Sequence, residues 1–181
     1  MGISVQVSGD VELRSIVQRM DRLADPANKR KLLRLIGAEV ESQTHERFRE
    51  TKRAPDGSKW QAWSSSYAKS RQGSQSLLMA SGELDDSIQS FVKGNDAVHT
   101  GSPLAYARAI QDGFKGSVKI AAHNRRIEQA FGRALKFPVY QSIKAHTRKM
   151  NTPQRQYLGL SSENRKDLLT LIGRFNQELL E

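Results

Sequence analysis

Between residues 10 and 49 the apolar residues recur every three or four positions, the spacing that places them on one face of a helix. Leu13, Ile16, Val17, Met20 and Leu23 form a first stripe behind a capping Asp10. The stretch "ADPANK" interrupts it, because the residue before Pro26 is driven out of the helical region. Asp25 followed by Pro26 is also a start signal, a cap and then a residue whose φ is already helical. From there Leu32, Ile36, Val40, Thr44 and Phe48 recur every four residues, widened by Leu33 and Leu35. The pattern predicts two antiparallel helices, the second reaching about Arg49.

The period then disappears. Residues 51–76 are polar and broken, with a Pro55-Asp56-Gly57 turn and with Trp60 and Trp63 as apolar anchors for an otherwise exposed loop. "LLMASGEL" predicts a short turn or helix at most. Alternation returns in Ile88–Val92 and Ala97–Thr100 around Gly94-Asn95-Asp96, a hairpin signature. Ser102-Pro103 opens a brief helix, "LAYARAIQDG", closed by Gly113. At the other end Ser161/Ser162 caps a closing helix with Leu168, Ile172, Phe175 and Leu179 on one face.

Between these lies a duplication. "IAAHNRR" at 120–126 returns as "IKAHTRK" at 143–149. Val118–Ala122 and Val139–Ala145 favour extended structure, and "EQAFGRALKFP" connects them, so residues 115–151 are expected to form a long hairpin arm. If its strands are antiparallel, the twin segments run in opposite directions and their His-x-Arg ends need not coincide. Phe131, Phe137 and Tyr140 are expected to pack within the hairpin. The fold class is α+β: an N-terminal helical hairpin and a C-terminal helix packed with a small antiparallel sheet, plus the long basic β-hairpin arm. One domain over residues 1–181 suits the length.

Charge sharpens this picture. The chain carries a formal charge of +10. Residues 115–155 hold ten Lys/Arg and one acid, Glu128, leaving 19 basic and 18 acidic residues elsewhere. Concentrated charge of this kind suits nucleic-acid phosphates or an acidic protein surface. The plainer reading is a solvated arm whose charge keeps it soluble. No apolar run approaches a membrane span, and the N-terminus lacks the basic start and apolar core of a secretion signal. Absent cysteines exclude disulfides and thiolate metal sites.

Catalytic chemistry finds little support. Of the four histidines, His123 and His146 are flanked by Arg and Lys, which repel a cation, so each is expected to supply a hydrogen bond at a strand end and no metal is expected. Nucleophile-elbow, zinc-protease and phosphate-loop motifs are absent from the sequence. Asp85, Asp86 and Asp56 read as solvated caps or turn residues. No cofactor is expected, and no enzyme activity. Sequence-specific DNA reading lacks a helix-turn-helix, zinc-finger or basic-zipper pattern.

Four ordered stretches carry a resemblance: "PDGSKW" at 55–60, "LLMASGELDDSI" at 77–88, "VHTGSPLAYARAIQDG" at 98–113 and "TPQRQYLGLSSENRKDLL" at 152–169. Together they resemble the phage virion morphogenesis proteins, the tail-completion group similar to the G protein of bacteriophage Mu. One departure is Gln111, where the family commonly has His. The resemblance implies a structural protein of the phage neck or tail terminus. It would act in tail completion or head–tail joining and assemble in the host cytoplasm into a multi-copy ring, a hexamer or a dodecamer. On that reading Arg125, Arg126, Lys144, Arg148 and Lys149, with His123 and His146, lie on an arm that meets sister copies and other neck or tail proteins. The alternative is a DNA-binding accessory protein using the same arm for non-specific DNA contact. Neither reading involves a membrane.

Overall fold

The computed structural model describes residues 10–69, 76–130 and 133–180. Helix α1, Asp10–Ala24, is separated by Asp25 from α2, Pro26–Glu46. Asp25 is the N-cap of α2, its carboxylate accepting from the Ala27 amide at 2.9 Å. Helix α2 continues into a wider π-helical turn, Arg47–Thr51, which Lys52 closes in the left-handed region at φ 52°. Of the apolar stripe of α1, Ile16, Val17, Met20 and Leu23 are exposed. Amphipathic spacing formed this helix without burying the face that the spacing defines.

Short helices α3, Ser65–Lys69, and α4, Glu83–Asp86, precede an antiparallel hairpin of β1, Gln89–Lys93, and β2, Ala97–Gly101. This hairpin lies against α2 at Gly37. A Cβ there would stand 2.9 Å from the Ser90 Cβ and 3.0 Å from Val98, so only glycine lets helix and sheet approach this closely. Ser90 fastens the contact, its hydroxyl donating to the Gly37 carbonyl at 3.0 Å and its amide donating to the Glu41 carboxylate. Helix α5, Ala107–Gln111, follows, then a long ribbon of four strands and finally α6, Ser162–Leu180. Ser161 caps α6 by accepting from the Asn164 amide at 3.0 Å.

The core draws Phe48, Ala54, Trp60, Leu84, Ile88, Ala107 and Tyr157 together. Phe48 tilts against Tyr157 with ring centroids 5.1 Å apart and against Trp60 at 6.0 Å. The Trp60 indole N–H is satisfied by the Gln156 carbonyl at 2.8 Å. The two tryptophans part company here: Trp60 is a core residue, whereas half-buried Trp63 meets Tyr67 edge-on at 5.8 Å. All four motif stretches meet in this core or at its edge. Pro55 of the first lies against Gly159 of the fourth, where a Cβ would come within 2.8 Å of the Pro55 Cγ.

Buried and half-buried polar groups bind the last motif to the others. Gln111 accepts the Tyr157 and Leu158 amides, both at 3.0 Å, and donates to the Leu158 carbonyl at 3.1 Å. Arg47 donates to the Tyr157 carbonyl at 2.5 Å, to that of Gly159 at 3.2 Å and to the Asn164 side chain at 2.8 Å. Arg155 donates from Nε to the Gln61 carbonyl at 2.9 Å. Burial lowers the pKa of both guanidiniums, yet both keep their ladder of acceptors. Asp85, expected to be a solvated cap, is instead buried and held by His45 at 2.5 Å and Arg49 at 2.9 Å. A carboxylate in that setting fastens α4 to α2 because removal from water is offset by two cationic or polar donors.

Candidate interaction surface

The ribbon is two antiparallel ladders in series. At its base β3, Phe114–Ile120, pairs with β6, His146–Thr152, in the register Ile120 with His146 and Phe114 with Thr152. Further out β4, His123–Ala130, pairs with β5, Arg133–Ile143, in the register His123 with Ile143 and Ile127 with Val139. The ladders are interrupted at Ala121-Ala122 on one side and Lys144-Ala145 on the other. The expected strands Val118–Ala122 and Val139–Ala145 therefore each run two residues into this break, since β3 ends at Ile120 and β5 at Ile143. An irregular register beyond Ile127 adds twist toward the tip.

The twin segments face each other across the break. Ile120 opposes the second histidine and the first histidine opposes Ile143, so the duplication generates a local two-fold relation within one chain. The same hydrogen bond forms in both copies: His123 Nδ1 lies 3.0 Å from the Ala121 carbonyl, and His146 Nδ1 lies 2.9 Å from the Lys144 carbonyl. Each ring thus closes the strand end preceding it. Among the described residues, no group of three or more His, Asp or Glu side chains is placed to hold a metal ion.

The cations are displayed along this ribbon. Arg125, Arg126, Lys144, Arg148 and Lys149 are all exposed, as are His123 and His146. Arg126 pairs with Glu128 at 3.0 Å across open surface, an interaction of small energy. Alternation along the base ladder puts Lys115, Lys119 and Lys149 on one face, and Phe114, Val118 and Met150 on the other with Arg148. Arg125 and Arg126, being adjacent, point to opposite faces of the outer ladder, so neither face is free of positive charge. The structure gathers the seven residues on one feature but not into one cluster.

The expectation that Phe137 and Tyr140 pack within the hairpin is overturned. Phe137 is 77% exposed and Tyr140 is 66% exposed, with Val139 beside them also exposed. A two-stranded ribbon has no third layer against which its side chains can be buried. Phe131 lies outside the described residues. A cleft of about 780 Å³ at the ribbon base joins Arg148, Lys149 and Met150 to Trp63, Tyr67 and Tyr106. Consecutive residues of β6 line this cleft, a feature that no sequence period announces.

Among the described residues, no helix is long and apolar enough to cross a membrane. A family model described as the phage virion morphogenesis family matches residues 11–175. No curated protein matches the chain, and no solved structure does.

Proposed function

Because the chain belongs to the phage virion morphogenesis family, we propose that it is a structural protein of the virion neck or tail terminus, serving tail completion and head–tail joining through protein–protein contacts. Membership in that family supports a structural role in building phage particles. The finer reading assembles several copies, six or twelve, into a closed ring in the host cytoplasm, which then remains in the virion. The observation that carries it is the ribbon, whose exposed cations and aromatics have no layer of their own chain to cover them. The aromatics gain stability when a partner removes them from water and the cations when it offers them acidic groups, and a ring of identical copies supplies such a partner at fixed geometry.

The test is the particle itself. Mass spectrometry of purified virions is expected to find the chain, and imaging is expected to place it in a ring at the head–tail junction. Its absence from particles rejects the reading. Changing Arg125, Arg126, Arg148 and Lys149 to Ala is expected to leave thermal stability within about 1 kcal/mol, since all four are exposed, while reducing incorporation.

The exposure of Phe137 and Tyr140 beside so many cations favours one second reading, contact with nucleic acid by stacking and phosphate pairing. Its signature is duplex or single-strand affinity that falls steeply with salt and is lost in the same four-residue variant. Absence of binding at low salt rejects it. The protein partner is favoured over a DNA-lined channel, because a strongly cationic lumen would hold departing DNA through many phosphate contacts.

A further inference from the structure

We propose, on the reading that the chain assembles in several copies, that the outer half of the ribbon of one copy lies in the groove between α2 and α6 of a second copy. The groove measures about 480 Å³, with Leu35 of α2 and Leu171 and Phe175 of α6 as its apolar part. Glu39, Asp167 and Glu178 line it as acids against Arg174, and the Lys31 amine stands 5.7 Å over the ring of buried Phe175, so three carboxylates face two cations there. Asp167 and Glu178 are exposed. Leu35 is 39% exposed.

The ribbon has the complementary character. Its outer ladder and the break beside it carry Arg125, Arg126, Lys136 and Lys144 against Glu128 alone, with Phe137, Val139 and Tyr140 exposed among them. Val139 shares one face of the outer ladder with Arg125, and Tyr140 shares the other with Arg126, so each face of the ribbon sets an apolar side chain beside a cation, opposite in sign to the groove. DNA does not fit the groove, because its phosphates would meet the three carboxylates. A second copy fits, because the net positive charge of the chain is concentrated on the ribbon and largely absent from the helices.

Reach decides between a contact within the chain and a contact between chains. Two strands in series, Phe114–Ile120 and His123–Ala130, amount to about 50 Å at about 3.3 Å per residue, whereas the rest of a chain of this size makes a body about 35–40 Å across. The ribbon is long enough to pass beyond its own body and cross onto a neighbour. Ribbon and groove are different surfaces, so each copy gives one and receives one. Such a head-to-tail contact closes into a ring when its rotation closes.

Charge reversal and cross-linking test this. Arg125→Glu with Arg126→Glu, and separately Asp167→Lys with Glu178→Lys, are expected to weaken self-association at least about tenfold, as rim charges at an interface do when reversed. A chain carrying all four changes is expected to recover to within about threefold of the original. All four positions are exposed, and circular dichroism checks that each variant folds. In purified particles, a photo-reactive residue at Thr170 is expected to form adducts with residues 123–143 of a second copy. Self-association unaffected by either reversal, or a Thr170 adduct to another virion protein, overturns the docking while leaving the virion reading standing. Failure of the chain to associate in solution together with its absence from particles overturns the virion reading itself.

Discussion

The three hydrogen bonds of Gln111 to the last motif make a quantitative prediction. Its side chain is the sole partner described for the Tyr157 and Leu158 amides and also donates to the Leu158 carbonyl. Gln111→Ala strands two N–H groups and one carbonyl next to a Tyr157 ring that is 1% exposed. Each net bond contributes about 1 kcal/mol, and groups that solvent cannot reach raise the cost of leaving them unpaired. The site is partly buried, so the expected loss is about 3 kcal/mol. With a urea dependence of about 2 kcal/mol per molar, the midpoint falls by about 1.5 M.

Tryptophan fluorescence reads this transition, since Trp60 lies in the same core. Gln111→Glu keeps an acceptor for both amides but sets a carboxylate against the Leu158 carbonyl, so its cost is expected to be smaller, about 1–2 kcal/mol. Gln111→His in its neutral form offers one acceptor and satisfies at most one amide, which places it between the other two. A midpoint shift below about 0.3 M for Gln111→Ala, roughly half a bond, refutes the claim that this residue fastens the last motif. Lost particle incorporation at unchanged stability would do so as well, by making Gln111 a contact residue.

Two further outcomes test the same core. Gly159→Ala forces a Cβ to 2.8 Å from Pro55 at φ 132° and is expected to cost about 2–3 kcal/mol. Scanning calorimetry reads this as a fall of about 6–9 °C, while Gly173→Ala, with open space around it in α6, is expected to raise the midpoint. Burial pushes the Tyr157 phenol up to about 12. A raised pKa favours the neutral phenol in the folded state, so this contribution is intact below the ordinary value of 10.0 and is lost as pH rises through about 12. An ultraviolet tyrosinate titration of the folded protein is expected to lose its latest step in Tyr157→Phe; an unchanged profile rejects the burial argument.

Much of the helical frame was legible in the chain because a period of 3.6 residues is a local property. Asp25-Pro26 starts α2 and Ser161 caps α6 for reasons contained within four residues. The basic segment was legible for the same reason, since charge adds along the sequence without regard to folding. The antiparallel hairpin around Gly94-Asn95-Asp96 also follows from its turn chemistry, with β1 one residue later than the alternation indicates and β2 starting as expected but ending one residue later.

The interior was less legible. Gln111, Arg47, Arg155 and Asp85 are polar types normally assigned to the surface, and only long-range pairing shows what compensates their burial. Gln111 finds its partners 46 and 47 residues away, and Arg47 finds its own 110 to 117 residues away. The exposed stripe of α1 and the exposed aromatics of the ribbon mark the converse, apolar residues for which this chain supplies no cover.

What the sequence determined by itself is where helices begin, which segment holds the positive charge and that the two seven-residue twins exist. What tertiary structure decided is that the twins oppose each other across a break, that the four motif stretches close on Phe48 and Tyr157, and which apolar residues stay in water. The division has a physical origin. Propensity, capping and charge depend on neighbours a few residues away, whereas register and burial depend on which distant surfaces meet, and that is settled only when the whole chain packs.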